Sequence, residues 1–350
     1  MKILGLSDKE SGCGYHRVCN PLGYIPATRY ITNKIQEGVL ELKWDIILFN
    51  RIAEIDHDLE NVRNITGAKI VVDLDDDWVL PPAHLNYELY VELRQRIENN
   101  IRNTDLVTVT HERLADRCYQ FNRNVEVIPN AVQFGEDQYT EERIESDSFR
   151  LFWAGGISHV NDMEILRNPM KRISSLKGIS TVIGGYSYTN DVTKMCWDRM
   201  VSSFTSSLKI PGLVLTSLPV TEYMNHFNHA DCLLLPLEDS KWHTMKSNLK
   251  LLEAAAKKIP VICSRVNPYL DFDPPVFYVE RQGDWFKHVN FLLKNKEAAT
   301  LMGNKLYEWA QQFSMKRVNE HRLKCFQSLL PGMGTIQEVR GVDKDTTPCG

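Results

Sequence analysis

The sequence predicts an α/β protein of two doubly wound domains, each with a parallel sheet between layers of helices. Short apolar runs rich in β-branched residues alternate with helix-like segments along most of the chain, as is typical of strands buried on both faces. A polar, acidic stretch at 133–148 has no strand pattern and separates two such series. The length of 350 residues also fits two domains, at about 100–200 residues for each.

Five apolar runs predict the strands of the first domain, which we assign to residues 1–132. In chain order they read KILGLS, DIILFN, AKIVVDL, DLVTVT and VEVIP. Apolar residues at helical spacing predict three helices, at 55–65, 87–101 and 111–121. Thr110 precedes the last of these and is a candidate N-cap. Residues 133–148 then form the linker between the domains.

Five further runs predict the second domain, which we assign to residues 149–314. They read FRLFWAG, STVIGG, GLVLTS, CLLLP and IPVICS. Helical patterns are predicted at 162–176, 220–229, 247–257, 284–293 and 297–313. A last helix at 315–330 is expected to return to the first domain, and residues 331–350 have the composition of a tail with little packing capacity.

The composition is that of a globular protein with well-filled cores, because 43% of the residues are hydrophobic and 25% are charged. The net charge of −4 excludes a strong overall attraction to nucleic acid or anionic lipid. The eight cysteines include no C-x-x-C pair, so neither a disulfide nor a zinc framework is expected. The N-terminus has no signal-peptide pattern, and no apolar run approaches the ~20 residues of a membrane span. We therefore expect a cytoplasmic protein.

Two doubly wound domains in tandem predict where a ligand binds. Ligands of open parallel sheets lie outside the carboxyl ends of the strands. If the two sheets face each other, the natural site is the cleft between the domains. The candidate functional residues are therefore those that directly follow each strand.

The strongest candidate site follows the strand CLLLP, where a loop enters a helix at about 246–247. Free backbone N–H groups and the helix dipole at such a position can hold a phosphate, together with Lys246 and Ser247. Lys250 lies four residues after Lys246 and adds charge on the same helix face. Glu253 lies one turn further, within reach of a hydroxylated group such as a ribose. The alternative is an ordinary amphipathic helix with a solvated polar face.

The segment KSNLKLLEAAAKKIPVICS resembles the nucleotide-sugar site of group-1 (family 4-like) glycosyltransferases of the GT-B fold. The resemblance is to the subgroup with the pattern N-x-x-K-S-x-x-K-x-x-E, in which Glu253 matches the glutamate that binds the ribose. Two positions depart from the family. Met245 stands where many members have an earlier glutamate, and His243 replaces the asparagine of the subgroup.

A second candidate site opens the second domain with the sequence WAGGISHVND. Gly155 and Gly156 end a strand and allow a close approach of backbone to ligand. His159 follows, and the stretch resembles the G-x-x-x-H-x-x-D-L loop that faces the donor diphosphate in the same subgroup. More familiar relatives have an arginine and a lysine at Gly156 and Asn161, and His159 can replace them if it donates a hydrogen bond. The alternative is that Asp162 caps a helix and His159 is a surface residue.

A third candidate is the loop SGCGYHR after the first strand. Gly12 and Gly14 suit a tight turn under a phosphate, although a G-x-G alone has low specificity. Related glycosyltransferases have a similar G-Y-x-R at the cleft, so we assign both glycines and Arg17 to the donor site. Arg17 can pair with phosphate or form an internal salt bridge.

The fourth candidate is the acidic run of 73–77 and the histidine that follows it. Crowded carboxylates can bind a hard cation, or one of them can act as a base with a raised pKa. In GT-B relatives this strand end faces the acceptor, so Asp75, Asp76 and His84 are our acceptor-side catalytic candidates. The D-x-D pattern is also typical of a metal-binding glycosyltransferase fold with one sheet, but the two series of strands argue against it. Solvated acids that cap the loop are the alternative.

The resemblance covers about residues 1–330, including VIPNAV at the end of the first domain. It implies transfer of a sugar from a nucleoside-diphosphate sugar, with a UDP-sugar as the first candidate donor. It also implies that the sugar keeps its configuration and that no metal or other cofactor is needed. The acceptor is expected to be a surface glycan or a modified DNA base. A DNA acceptor needs a basic track, for which one stretch offers six arginines: Arg94, Arg96, Arg102, Arg113, Arg117 and Arg123. Two alternatives stay open, a sugar-nucleotide epimerase or similar GT-B enzyme and a non-catalytic binding protein.

Overall fold

The first half of the chain forms a six-stranded parallel sheet in the order β2-β1-β3-β4-β5-β6. The computed structural model describes residues 1–35, 38–55 and 58–331. The strands are β1 (Lys2–Leu6), β2 (Thr28–Thr32), β3 (Ile46–Asn50), β4 (Lys69–Leu74), β5 (Leu106–Val109) and β6 (Val125–Val127). Every pairing between them is parallel. The order reverses direction between β1 and β3, so the ends of these two strands flank the crevice where such sheets bind ligands.

The second half forms another six-stranded parallel sheet, in the order β12-β11-β10-β7-β8-β9. Its strands are β7 (Phe149–Ala154), β8 (Ile179–Tyr186), β9 (Gly212–Thr216), β10 (Cys232–Leu235), β11 (Val261–Ser264) and β12 (Phe277–Val279). Here the direction reverses between β7 and β10. The predicted class, α/β with two parallel sheets, is therefore confirmed.

The α-helices of the described ranges connect these strands and cover both faces of each sheet. They are α1 (Gly12–Gly14), α2 (Asn20–Gly23), α3 (Leu59–Thr66), α4 (Tyr87–Asn103), α5 (Glu112–Cys118), α6 (Val160–Glu164), α7 (Arg167–Ile173), α8 (Asp191–Phe204), α9 (Leu249–Ala256), α10 (Gln282–Lys294), α11 (Lys296–Ala310) and α12 (Met315–Ser328). A π-helical turn, Tyr15–Cys19, joins α1 to α2.

Three predicted helices differ from the observed ones in their cap, their continuity or their type. The helix after β5 begins at Glu112, because the side chain of His111 rather than Thr110 accepts the N–H of Leu114 and caps it. The single helix predicted at 162–176 is two helices, α6 and α7. Pro169 lies in α7 and cannot donate a hydrogen bond to the preceding turn, which favours the break. The segment predicted at 220–229 is a 3-10 helix, Tyr223–His229.

Each sheet is buried between two apolar layers, and the last helix belongs to the first sheet. Met315, Val318 and Phe326 of α12 pack with Ile3 and Leu22 in the same buried cluster. The chain returns there beside its first crossing, because Val132 and Ser314 form a parallel bridge. Most of the predicted tail, 332–350, lies outside the described residues. Among the described helices, none has the length and hydropathy required to cross a membrane.

Candidate functional site

A cleft of about 470 Å³ lies between the carboxyl edges of the two sheets. It collects residues that follow β1 and β4 in the first sheet and β7 and β10 in the second. The predicted site residues that line it are Gly12, Arg17, Asp75, Asp76, Gly155, Gly156, His159, Lys246, Ser247, Lys250 and Glu253. A larger cavity of about 660 Å³ lies beside the amino ends of the second sheet and contains none of them. We therefore take the cleft, and not the larger cavity, as the candidate functional site, because the predicted site residues line it.

The glycines after β1 begin a helix, so the predicted tight turn is wrong. Ser11 is the N-cap of α1, and its hydroxyl accepts the N–H of Gly14 at 2.9 Å. A Cβ at Gly14 would collide with the carbonyl oxygen of Asp8, whereas a Cβ at Gly12 would have no heavy atom within 4 Å. Gly14 is thus required by packing within this segment, and Gly12 is the glycine that borders the cleft.

Arg17 forms an internal salt bridge, which is one of the two roles that the sequence allowed, the other being a contact with phosphate. Its guanidinium is 1% exposed and donates two hydrogen bonds of 2.8 Å to the carboxylate of Asp73. It also donates to the carbonyl of Ile128 and to the side chain of Asn130. These bonds hold β1, β4 and the end of the first domain together. Arg17 borders the cleft but directs its donors to the protein, which corrects its assignment to the phosphate.

Each carboxylate of the acidic run has a basic partner, so the run is not a set of solvated loop acids. The pairs are Asp73 with Arg17, Asp75 with Arg51, Asp76 with Lys246 and Asp77 with Arg117. The pair of Asp76 and Lys246 joins the two halves of the molecule, with 3.8 Å between Oδ2 and Nζ. Asp76 is therefore an acid of the first half that directly contacts the predicted donor loop.

The pKa values of Asp75 and Asp76 are shifted in opposite directions. Burial alone would raise the pKa of Asp75, but the Arg51 guanidinium at 2.7 Å and hydrogen bonds from Cys13 and Asn50 outweigh it and lower the pKa to about 2. Burial raises the pKa of Asp76, the negative charge of Asp75 adds to the effect, and Lys246 opposes it. Asp75 is a fixed anion that orients Arg51, whereas Asp76 is the better proton acceptor.

His84 lies beside the cleft but is not one of its lining residues. Its ring packs edge-on against Trp242 at 4.8 Å, and its Nδ1 accepts the backbone N–H of Asn86. Burial and the nearby charge of Lys246 lower its pKa. His84 thus packs against Trp242, whose ring contacts Lys246, and does not itself line the cleft.

The donor loop, residues 243–248, enters α9 two to three residues later than predicted. The helix begins at Leu249 with Asn248 as its N-cap. The Asn248 side chain makes no cap hydrogen bond, and its buried Nδ2 has no partner within the described part of the chain. Lys246 lies over the ring of Trp242, 4.2 Å from its centroid. The loop therefore presents the Lys246 ammonium and free backbone N–H groups at the mouth of the cleft.

Glu253 is 2% exposed and lies at the centre of a charged network. Its Oε2 accepts a hydrogen bond of 2.9 Å from Lys250, which also donates to the hydroxyl of Tyr223. Burial alone would lower the pKa of Lys250, but the charge of Glu253 outweighs it and raises the pKa well above its ordinary value. The other oxygen of Glu253 lies 3.9 Å from Nε2 of His16, a residue of the first half. Lys250 and Glu253 are thus a preformed ion pair that faces the first domain.

His159 is held by a buried carboxylate. Its Nδ1 lies 2.7 Å from Asp162, which is 2% exposed and also accepts the backbone N–H of Glu238. Hydrogen bonds from His159 and His243 outweigh burial and keep the pKa of Asp162 well below its ordinary value. Since Asp162 is an anion, the neutral ring carries its proton on Nδ1 and leaves Nε2 as an acceptor. Asp162 therefore orients His159 from within α6 and is not an N-cap.

The sequence interpretation missed Cys13, His16 and Tyr223, all of which line the cleft. His16 is 8% exposed, and its Nδ1 has no partner among the described residues. Burial, the largest influence, and the charge of Lys250 lower its pKa to about 3, so its ring is neutral. The only signal for Cys13 and His16 was their place between the glycines and Arg17. Tyr223 lies in a 3-10 helix after an exposed strand, which gives no sequence signal.

Residues of α5 and its cap contact the donor loop from the other domain. Nδ1 of His111 accepts the N–H of Leu114, so Nε2 carries the proton and donates to the carbonyl of Met245 at 2.9 Å. Arg113 donates to the carbonyl of Thr244 at 2.7 Å and makes two bonds of 2.7 Å to Asp271. The first domain thereby fixes the backbone just before Lys246.

The sequence matches no family model and resembles no curated protein sequence. The structure, in contrast, is similar to known enzymes at low identity. Sucrose-phosphate synthase from Thermosynechococcus elongatus has a TM-score of 0.70 at 12% identity, over 94% of this chain and 99% of that protein. HepE from Anabaena, solved with UDP-glucose, has a TM-score of 0.63 at 12% identity, over 94% and 100%.

TarM from S. aureus, solved with fondaparinux, α-GlcNAc-glycerol and UDP, has a TM-score of 0.57 at 13% identity, over 80% of this chain and 55% of TarM. This chain therefore spans about half the length of TarM. At such identities the likeness defines the fold alone. The fold is GT-B, with two Rossmann-like domains that face each other across a cleft.

Proposed function

We propose that this protein is a glycosyltransferase that takes a sugar from a nucleoside-diphosphate sugar bound in the cleft. The observation that carries the proposal is the network of Lys250 and the buried Glu253, next to the start of α9. A buried carboxylate beside a cation and free helix N–H groups suits a ligand with both hydroxyls and phosphates. Similar structures hold UDP, UDP-glucose or UDP with glucose, which favours a UDP-sugar as the donor.

In this proposal the second domain supplies the donor contacts. Glu253 accepts hydrogen bonds from the ribose, and Lys246, Lys250, Ser247 and the backbone at α9 bind the diphosphate. Gly155 and His159, which follow β7 of the same domain, also border the phosphates. The leaving group is a nucleoside diphosphate, and the charge that develops on it is stabilised by the same groups. The positive groups are preorganised by ion pairs, so little rearrangement accompanies the transfer.

The first domain supplies the acceptor side. Asp76 is proposed to bind the attacking hydroxyl, because its pKa is raised and it lies across from Lys246. Asp75 keeps Arg51 in place and stays ionised. The reaction is proposed to retain the configuration of the sugar and to need no metal, as the sequence resemblance implies. His84 has no part in this scheme, because it lies outside the cleft lining.

A carbohydrate acceptor is favoured over DNA. Of the six arginines that offered a basic track, five make contacts within the protein: Arg94 and Arg102 with Glu98, Arg96 with the carbonyl of Ala53, Arg113 with Asp271 and Arg117 with Asp77. An arginine that is held by a contact within the protein has to give up or share that contact to bind a phosphate. Two similar structures were solved with glucose or with α-GlcNAc-glycerol. We therefore propose a glycan or another hydroxylated small molecule as the acceptor.

The test is a transfer assay with a panel of nucleoside-diphosphate sugars, with and without sugar acceptors. We expect release of a nucleoside diphosphate and a glycosylated product, both lost in Asp76→Asn while donor binding persists. Asp116→Asn, an exposed acid on α5, is the matched control. A donor whose sugar is epimerised without an acceptor would instead identify an epimerase. Tight donor binding with neither transfer nor hydrolysis would indicate a non-catalytic binding protein.

A further inference from the structure

A cluster of three metal-ligating side chains lies on the first domain, away from the cleft. Glu126 belongs to β6, and His321 and Cys325 belong to α12. One ligand atom from each lies within 4.8 Å of the others. Nε2 of His321 is 3.8 Å from Oε2 of Glu126 and 3.7 Å from Sγ of Cys325. No residue of the cluster takes part in the function proposed above.

The fold places these three residues together for reasons independent of any ion. His321 and Cys325 are four residues apart on α12, so they project from one face of the helix. The helix packs on the first sheet through buried residues such as Val318 and Phe326. β6 is an edge strand of that sheet. Within it Val125 is buried, whereas the next residue, Glu126, is only partly buried. The side chain of Glu126 thereby meets the helix face that carries His321 and Cys325.

We propose that Glu126, His321 and Cys325 form a binding site for Zn²⁺ that ties the last helix to the edge strand. Zn²⁺ takes thiolate, imidazole and carboxylate ligands in a tetrahedral arrangement. With metal–ligand bonds of about 2.0–2.3 Å, tetrahedral ligand atoms lie roughly 3.5 Å apart, close to the 3.8 Å and 3.7 Å that separate Nε2 of His321 from Glu126 and Cys325. Mg²⁺ and Ca²⁺ prefer oxygen ligands alone, and a single thiolate beside a carboxylate does not favour Cu⁺.

Metal binding exchanges a proton for a bond to sulfur. The Cys325 thiol releases its proton to solvent as the Sγ–Zn bond forms, and neutral His321 and ionised Glu126 bind through their lone pairs. Burial raises the pKa of Cys325 to about 12, Glu126 adds to the rise and Arg322 opposes it, so the metal competes with this proton. The side chains of His321 and Glu126 are about half exposed, at 48% and 46%. A water molecule therefore has access to the fourth position.

The probe for this site is Co²⁺ added to the metal-free full-length protein, followed by Zn²⁺. We expect one Co²⁺ per chain, with the near-ultraviolet charge-transfer band of a cobalt–thiolate bond and the visible bands of a tetrahedral ion. Zn²⁺ should abolish these bands by displacement. Zn²⁺ should also raise the melting temperature of the protein, because it binds the folded state.

Three variants identify the ligands. Cys325→Ser should abolish the charge-transfer band, and His321→Gln and Glu126→Gln should weaken Co²⁺ binding at least tenfold. Cys196→Ser and Cys349→Ser are the matched thiol controls and should retain the band. Because Glu126 and His321 are partly exposed, their variants keep the fold, which circular dichroism checks. The proposal is overturned if wild-type protein shows no cobalt–thiolate band or if the band persists in Cys325→Ser. It is also overturned if all three variants bind Co²⁺ like the wild type, because the bound metal is then an adventitious ion only.

Discussion

Glu253 is the most deeply buried carboxylate among the described residues that line the cleft. It is anchored by Lys250 on one oxygen and faces His16 with the other. A carboxylate is costly to bury without partners, and the single cation of Lys250 leaves one oxygen available. We propose that this second oxygen receives the ribose hydroxyls of the donor.

The first prediction concerns this carboxylate. Glu253→Gln should weaken binding of a nucleoside diphosphate and of the bare nucleoside about equally, because both contain the ribose. Hydrogen bonds to a charged group are worth about 1.5–3 kcal/mol, so the affinity should fall about tenfold or more. Isothermal titration calorimetry measures both ligands. Glu222→Gln, an exposed neighbour of Tyr223, is the control, and an unchanged affinity in Glu253→Gln would remove this residue from the site.

The second prediction separates phosphate contacts from ribose contacts. Lys246→Ala should weaken binding of the nucleoside diphosphate and leave binding of the nucleoside unchanged, because the ammonium faces the phosphates. The expected loss is about tenfold for one charge-assisted contact. Lys241→Ala removes an exposed lysine from the same loop region and should have no effect. Equal losses for the two ligands would mean that Lys246 acts on the loop structure and not on phosphate.

The third prediction is a pH dependence that arises from His159. Burial lowers the pKa of its ring, so the ring is neutral above pH 6.5 and Nε2 lacks a proton. A diphosphate beside Nε2 favours the protonated ring, so the affinity for a nucleotide sugar should rise as the pH falls from about 7.5 to about 5.5. A nucleotide sugar is used because a terminal phosphate itself titrates near pH 6.

Calorimetry across this pH range checks the prediction, with His159→Gln as the comparison. His16 does not contribute in the window, because its pKa is lowered to about 3. The variant should bind with an affinity that no longer depends on pH in this range. If wild-type protein shows the same flat profile, His159 meets a hydroxyl or solvent and not the diphosphate.

At the scale of elements, the donor loop is positioned by both domains. His111 and Arg113 donate hydrogen bonds to the carbonyls of Met245 and Thr244, directly before Lys246. Asn130 of the first domain also donates to the hydroxyl of Ser247 at 2.7 Å. The backbone that presents the proposed phosphate-binding groups is therefore held in place by contacts from the first domain.

The fourth prediction follows from that contact. Arg113→Ala should weaken nucleoside diphosphate binding several-fold although Arg113 does not line the cleft. Its hydrogen bond to the Thr244 carbonyl is worth about 1.5–3 kcal/mol, and only part of that energy reaches the ligand through the loop. Asp271→Asn should have a smaller effect in the same direction, since Arg113 keeps its bond to Thr244. Arg123→Ala, an exposed arginine of the same domain, is the control. The positional role is contradicted if Arg113→Ala binds nucleotide like the wild type.

The two strands that the sequence prediction missed, β2 and β12, are both edge strands. β2 has the burial pattern of a mostly exposed strand, and β12 is three half-buried residues. β2 reads TRYIT and offers no apolar run, whereas β12 lies in the short apolar run VFYV, which the prediction did not assign as a strand. The start of the helix after β1 was also missed, because glycines are poor helix formers and only the Ser11 cap marks it.

The sequence indicated many of the residues that line the cleft, but not the residues with which they form hydrogen bonds and ion pairs. Motif positions such as Glu253 and His159 follow strands, and the topology of parallel sheets brings strand ends together. The pairing of Arg17 with Asp73 joins residues that are distant in sequence, and no local pattern encodes such a contact. The same limit applies to the proposed metal ligands Glu126, His321 and Cys325, which come from two elements distant in sequence and contain no C-x-x-C pair.

At the scale of the whole molecule, the two sheets are joined by two crossings that lie side by side. Val132 donates to the carbonyl of Phe313, and Met315 donates to the carbonyl of Val132. Adjacent crossings form a compact joint, while the contacts of His111, Arg113 and Asn130 with the donor loop lie across the cleft. We propose that a ligand bound between the sheets stabilises these contacts and excludes water from the reaction.

The cleft is proposed above all as a site for a nucleoside-diphosphate sugar, and direct titration is the sharpest test of that role. Calorimetry of the full-length protein with UDP, GDP, ADP and TDP should identify at least one ligand that binds one per chain, with a Kd well below about 1 mM. The corresponding nucleotide sugar should bind at the same site, and Lys250→Ala should abolish both. The proposed role of the cleft is contradicted if no nucleoside diphosphate binds below about 1 mM, or if the binding persists unchanged in Lys250→Ala.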